Sequence, residues 1–194
     1  PKWAAPPETH NTGVWTDWNR AMPDLDAWKN YVNTMVKRYG DRIRYWEIWN
    51  EPDLNGFFRG NRDDYLTLMK SAYQTAKTAN PDVVVMTGGF ATLNPHPGKK
   101  DPDFQEVVIR EGEGFYDIHA YHQHGGFDGF QRSVDEHLAD IRKGLKNPKP
   151  IYFNETAIHS LGDSQRNQAE VIVKKMLFSM ARGAVGYNWY DLRD

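Results

Sequence analysis

Two glutamates, Glu51 and Glu155, each close a short apolar run, and each follows an asparagine. "YWEIWNEP" ends in Asn50-Glu51-Pro52, and "PIYFNET" ends in Asn154-Glu155-Thr156. Burying a carboxylate is costly unless it has a partner or a task. Two carboxylates opening onto one pocket can share the roles of acid and nucleophile, as glycoside hydrolysis requires. One of them must then hold its proton near neutral pH, and an apolar, aromatic surround raises a carboxyl pKa to that end. A lone Glu at a strand end is most often exposed or salt-bridged; two Asn-Glu strand ends in one chain are far less ordinary. Asn154-Glu155-Thr156 also matches the glycosylation sequon, which needs an exposed Asn. Because this Asn closes an apolar strand, the match reads as accidental.

A second group of chemistry-bearing residues lies in "DIHAYHQH": His119, Tyr121, His122 and His124. Three histidines this close raise the question of zinc. On a strand, however, His122 and His124 share a face while His119 takes the other, so three ligands do not converge easily. A metal-dependent hydrolase is the lesser reading. Aromatic residues make up 13% of the chain, and Trp15, Trp18 and Trp189 sit beside polar residues, where sugar rings could stack on them. Core or interface packing is the ordinary use of such residues.

These groups need rigid elements to aim them, and the chain alternates between two periodicities. "DLDAWKNYVNTMVKRYG" reads as a helix, with Asp24 as N-cap and Gly40 as stop. "NRDDYLTLMKSAYQTAKTAN", "DFQEVVIREG", "SVDEHLADIRKGLK" and "SQRNQAEVIVKKMLFSMARG" read likewise. Between them lie five short apolar runs starting near residues 43, 83, 115, 150 and 184. Short strands that are apolar nearly throughout, alternating with helices, predict a parallel sheet covered by helices. "TGGFATLNP" offers two adjacent glycines but neither GxGxxG nor GxxxxGK[ST], which argues against a nucleotide-binding doubly wound sheet. Polar residues at the C-terminal ends of nearly every strand favour a (β/α)8 barrel, whose active face lies there. Glu47, four residues before Glu51, points to the same side by strand parity and is expected to be a structural network member.

Composition narrows the partners. The net charge of −2, without long single-sign runs, makes nucleic acid and anionic membranes unlikely targets. No apolar run approaches the roughly 18 residues of a membrane span. Cysteine is absent, which excludes disulfides, thiol catalysis and cysteine-ligated metal. The 194 residues are expected to form a single domain.

"VKRYGDRIRYWEIWNEPD", "TGGF", "FYDIHAYHQH", "IYFNET" and "NWYD" together resemble the retaining (β/α)8 glycoside hydrolases of clan A, most closely their family 39 branch. The resemblance implies Glu51 as general acid/base, Glu155 as nucleophile, and Asn50 as a hydrogen-bond partner of the sugar 2-hydroxyl. Beside these, Tyr121, His122 and His124 at the end of their strand are expected substrate-binding residues, as is Trp189, a stacking platform unless it packs in the core. The mechanism needs neither metal nor cofactor. The family sets a His and then a Tyr, two apart, after the Asp of its strand. Counting from Asp117, His122 takes the His position, and His124 stands where Tyr is expected. The implied substrate is an oligo- or polysaccharide, and the implied setting is secreted or periplasmic. A catalytically inactive carbohydrate-binding barrel is the alternative. By the clan's order the run at Ile43–Trp49 is strand four and that at Gly183–Tyr190 strand eight. The chain therefore reads as the C-terminal part of a barrel, to be completed by another chain or segment, and is expected to fold poorly or self-associate alone.

Overall fold

The computed structural model describes residues 2–14, 16–91, 101–160 and 165–191. Among them five strands run β1 (Tyr45–Asn50), β2 (Val84–Gly89), β3 (His119–His124), β4 (Ile151–Ala157) and β5 (Gly186–Trp189). Every ladder is parallel: β1 pairs with β2, and β3–β4–β5 form a second ladder. The bridges Met86–Ile118 and Phe90–Tyr121 join the two ladders, so the strands follow one another in chain order as an open arc.

Each strand but the last leads into a helix. A short helix α1 (Thr16–Asn19) precedes α2 (Leu25–Tyr39), whose first turn is capped by Asp24 accepting from the backbone of Asp26 and Ala27. α3 (Arg62–Ala79) starts with a capping box, Asn61 bonding the Asp64 N–H and Asp64 returning a bond to the Asn61 N–H. α4 (Phe104–Glu111) follows β2, and α7 (Gln165–Ala181) follows β4. Between β3 and β4 one helical run comprises α5 (Phe127–Arg132), a π-helical stretch (Ser133–Leu138) and α6 (Ala139–Arg142).

Several boundaries differ from the sequence expectation, and two of them have a clear cause in packing and bonding. The helix expected from Ser133 begins six residues earlier, because Phe127 and Phe130 pack edge-on against Phe178 of α7 and the Phe130 ring also meets Phe153 of β4. Strand β3 starts at His119 rather than near residue 115. The residues before it are committed elsewhere. Tyr116 is buried and bonds the Ile109 carbonyl, while Asp117 accepts the Val85 N–H and pairs with Lys77.

The main core lies between the arc and its helices. Phe58, Tyr65, Phe90, Phe104, Phe130 and Phe153 are wholly buried there, most meeting edge to face. A small second cluster, Met86, Ile118 and Ala120, lines the concave side. That side is open: Ile43, Tyr45 and Val185 are exposed. Neither β1 nor β5 has a second neighbouring strand among the described residues.

Tyr65 joins the helix layer to the arc. Its hydroxyl donates to the Ile48 carbonyl at 2.7 Å and accepts from the Gly88 N–H at 2.7 Å, bridging β1 and β2 just below their C-terminal ends. Tyr65→Phe strands two buried backbone groups and is expected to cost about 2 to 4 kcal/mol by chemical denaturation. A loss below about 1 kcal/mol would show that the strands close up without the hydroxyl.

Candidate active site

The strand ends deliver their polar residues by two local distortions. At the end of β1, Trp49 has φ +75° and Glu51 φ +43°, the left-handed region that bulky residues avoid. Trp49 packs against Trp28 and Phe58 on the helix side, its indole N–H bonding the Phe57 carbonyl. Glu51 turns the other way, with its backbone N–H held by the Gly89 carbonyl at 3.1 Å. Strain of this sort persists only where the surroundings over-determine it.

The second distortion is a bulge in β4. Between the pairs Ala120–Tyr152 and His122–Glu155, two steps along β3 match three along β4. Against β5, the step from Phe153 to Thr156 again spans one residue more than its partner's. Adjacent strand residues normally face opposite sides, and one extra residue breaks that rule. Phe153 faces the helices, whereas both Asn154 and Glu155 reach the concave side. Asn154 lines a cleft of about 400 Å³ with Glu47, Met86 and Asn188, and Glu155 meets the histidines.

The two glutamates come together there. His122 Nδ1 lies 2.9 Å from Glu51 Oε1 and 3.8 Å from Glu155 Oε2, while His124 Nε2 lies 3.2 Å from Glu155 Oε1. A carboxylate oxygen from each glutamate and a ring nitrogen of His124 all lie within 4.8 Å of one another. Glu51 and His122 are buried, Glu155 is partly open, and His124 is exposed. With its proton on Nδ1, His122 donates to Glu51. Burial lowers the His124 pKa below its ordinary value; Glu155 opposes that shift, and the nearby His122 and Lys175 add to it.

Gly89 is what lets His122 sit there. A side-chain carbon at this position would overlap the imidazole ring, and His122, 1% exposed, has little room to yield. The "TGG" run thus marks a close approach of side chain to backbone. Glu47 completes the floor of the site. Its carboxylate accepts the Gly89 N–H at 2.7 Å and bonds Asn154 across the arc. Although the side chain reaches solvent on the open side, crowding by protein pushes its pKa upward, partly offset by those two bonds.

The other expected residues divide. His119 turns away: wholly buried, it bonds Gln105 of α4 and approaches Arg142, and burial holds its pKa down at about 3. The three histidines therefore do not converge, as strand parity anticipates; among the described residues the cluster of ligand-type atoms is Glu51, His124 and Glu155. Tyr121 was expected at the substrate and is not brought there. It is wholly buried on the helix side against Phe153, its hydroxyl donating to Gln123 Oε1. Its odd position in β3 sets it opposite to His122 and His124. Asn50 is exposed at the end of β1, paired with Gly89. Trp189 is half-buried at the end of β5 beside Thr156. The neighbouring Tyr190 ring lies 6.3 Å from that of His124. Trp18 is half-buried in α1, and Trp15 lies outside the described residues.

Sequence reasoning passed over Gly89 and Asn154. The double glycine was a visible signal for the first; a bulge leaves no signal for the second. Gly89→Ala is expected to push His122 off Glu51 and to cost about 1 to 3 kcal/mol of stability. The readouts are denaturation and the His122 side-chain NMR signals; unchanged values in both would contradict the close-approach account.

Comparisons with known proteins bear on the family and the fold. A family model described as Glycosyl hydrolases family 39 matches residues 10–169. A β-xylosidase from Caldicellulosiruptor saccharolyticus is 26% identical over 155 residues, covering 72% of this chain and 30% of the relative. The solved GH39 β-xylosidase from Caulobacter crescentus superimposes with a TM-score of 0.67 at 21% identity, covering 89% of this chain and 40% of that one. Xylanase 10B from Thermotoga petrophila gives a TM-score of 0.60 at 18% identity, over 88% of this chain and 55% of its own. These neighbours are (β/α)8 barrels, and the arc described above is part of such a barrel. The chain spans less than half the length of the β-xylosidases that it matches.

Proposed function

Because this chain belongs to family 39 of the glycosyl hydrolases, we propose that it carries the catalytic carboxylates of a retaining glycosidase. The observation that carries the reading is the approach of Glu51 and Glu155, with carboxylate oxygens within 4.8 Å of each other. Retaining enzymes hold their two carboxyl groups about 5–5.5 Å apart, whereas inverting ones need about 6.5–9.5 Å to admit a water molecule.

In this reading Glu155 attacks the anomeric carbon while Glu51 protonates the leaving oxygen, so the glycosidic bond breaks as the Glu155–sugar ester forms. Glu51 then takes a proton from water, whose oxygen displaces Glu155 and releases the sugar. His122 orients Glu51, and His124 stands against Glu155 where the resembling family sets a Tyr. Asn50 is the proposed partner of the sugar 2-hydroxyl, and Trp189, with Tyr190, the proposed stacking surface. The β-xylosidases among the similar proteins make a β-xyloside the first substrate to try. Activity is proposed for the closed barrel, with the open edges of β1 and β5 covered by a further segment or chain.

The role assignment is tested in the complete polypeptide. Glu155→Ala is expected to abolish turnover of every glycoside, because the covalent step is lost. Glu51→Ala should keep the first step for aryl glycosides with good leaving groups, which need little protonation, and added azide should restore the second step. Equal loss in both variants without azide rescue would refute the roles. Binding of the sugar without any release by the unaltered protein would favour the inactive carbohydrate-binding barrel.

Trp189→Ala should raise KM by about tenfold with little change in melting temperature, since a stacked ring contributes to binding. A fall in melting temperature with unchanged kinetics of the folded protein would identify Trp189 as a packing residue.

A further inference from the structure

Lys175 is a buried charge that the proposed chemistry leaves unused. It lies on α7, on the helix side of the arc, and is wholly buried. Its ammonium donates to the Gln123 carbonyl at 3.1 Å and to the Ala157 carbonyl at 3.3 Å. The Phe130 ring lies beneath it at 5.2 Å. Its contacts among the described residues are carbonyl oxygens and an aromatic face, not a carboxylate. A lone buried ammonium is an expensive way to hold a helix against a sheet, because desolvation works against the charged form. Packing alone would be served better by an apolar residue of similar length.

The two carbonyls explain the choice. Gln123 directly precedes His124 on β3, and Ala157 stands two residues after Glu155 on β4, just past the bulge. We propose that Lys175 is a positioning residue: its buried ammonium clasps the ends of β3 and β4 and thereby fixes the His124–Glu155 pair. The bulge makes such a clasp necessary, since the extra residue in β4 relaxes the register at Glu155 itself. The inference rests on the reading of Glu155 as nucleophile for its catalytic consequence, though not for the clasp.

The surroundings limit what else could produce a charge effect. From β3 come His124 and His122, from β4 Glu155, and from β1 Glu51; the Lys175 charge opposes protonation of His124. From β5 comes Tyr187, whose phenol burial pushes upward. The helix side presents Phe130 and, just past the end of α7, Arg182 paired with Asp135. Lys174 and Glu170 pair with each other on the outer face of α7. Burial lowers the Lys175 pKa to about 8. The ammonium is thus charged at neutral pH and loses its proton in the alkaline range, where a guanidinium would not.

Two readouts in the complete polypeptide test the clasp. NMR titration of His124 reads the charge without any need for turnover: Lys175→Met should move the His124 midpoint upward, and Lys175→Arg should leave it low. The second readout is the pH profile of kcat/KM on an activated aryl glycoside, for which protonation of the leaving group hardly matters. The unaltered protein should show an alkaline limb near pH 8. Lys175→Arg should lose that limb, and Lys175→Met should lower kcat by about tenfold with little change in KM. If Lys175→Met does not fold, the Lys175→Arg profile decides alone. An unmoved His124 midpoint in Lys175→Met, or an alkaline limb kept in Lys175→Arg, would overturn the proposal. Absence of turnover in the unaltered protein would instead count against the glycosidase reading, with the His124 titration still judging the clasp.

Discussion

Everything at the concave face turns on one hydrogen bond, that between His122 Nδ1 and Glu51 Oε1. It spans from β1 to β3 over the backbone of β2, and it exists only because Gly89 has no side chain in the way. Once the ring is seated, other features follow from the need to meet it. Glu51 adopts a left-handed backbone to turn its carboxylate inward, and its N–H is tied to the Gly89 carbonyl. Tyr65 holds β1 and β2 together one residue below, where the strand is already leaving regular geometry. A carboxylate buried this deeply is tolerable because its partner is fixed before any ligand arrives.

A second set of contacts does for β4 what His122 does for β1. The bulge swings Asn154 and Glu155 to the same face; Glu47 catches the first and the two histidines face the second. Glu47 also bonds Gly89, so the floor of the site and the seat of His122 are one connected network. In such a network a single truncation is felt by several members, and its effect exceeds that of one lost contact. Rigid strand ends, not loops, therefore carry both proposed catalytic groups, as expected where small displacements are costly.

Much of this was legible before any coordinates. The helices were visible from apolar spacing, helped at α2 by the Asp24 cap, and the strands from short apolar runs. Glu51 and Glu155 stood out because each ended such a run. What escaped reading has a physical cause in each case. The helix start at Phe127 escaped because three glycines around it weaken helix propensity, and Phe127 and Phe130 form it by packing against Phe178 and Phe153. Tyr121 was a candidate because the resembling family has a Tyr nearby, although its parity opposite to His122 argued for the helix side. The bulge depends on the pairing of β4 with two neighbours, and no local residue announces it. Nothing in the sequence marks Lys175, since burial of its side chain is decided by elements far away in sequence.

The central claim is that Glu155 is the residue to which the sugar becomes attached. The most direct measurement is mass spectrometry of the complete polypeptide after incubation with an activated 2-fluoro glycoside of the proposed sugar, followed by peptide mapping. The fluorine slows release from the enzyme, so a retaining glycosidase accumulates the covalent ester. The account predicts one added sugar per chain, located at Glu155 and absent from Glu155→Ala. A label on Glu51, or turnover of the parent glycoside with inverted anomeric configuration and no label at all, would contradict it.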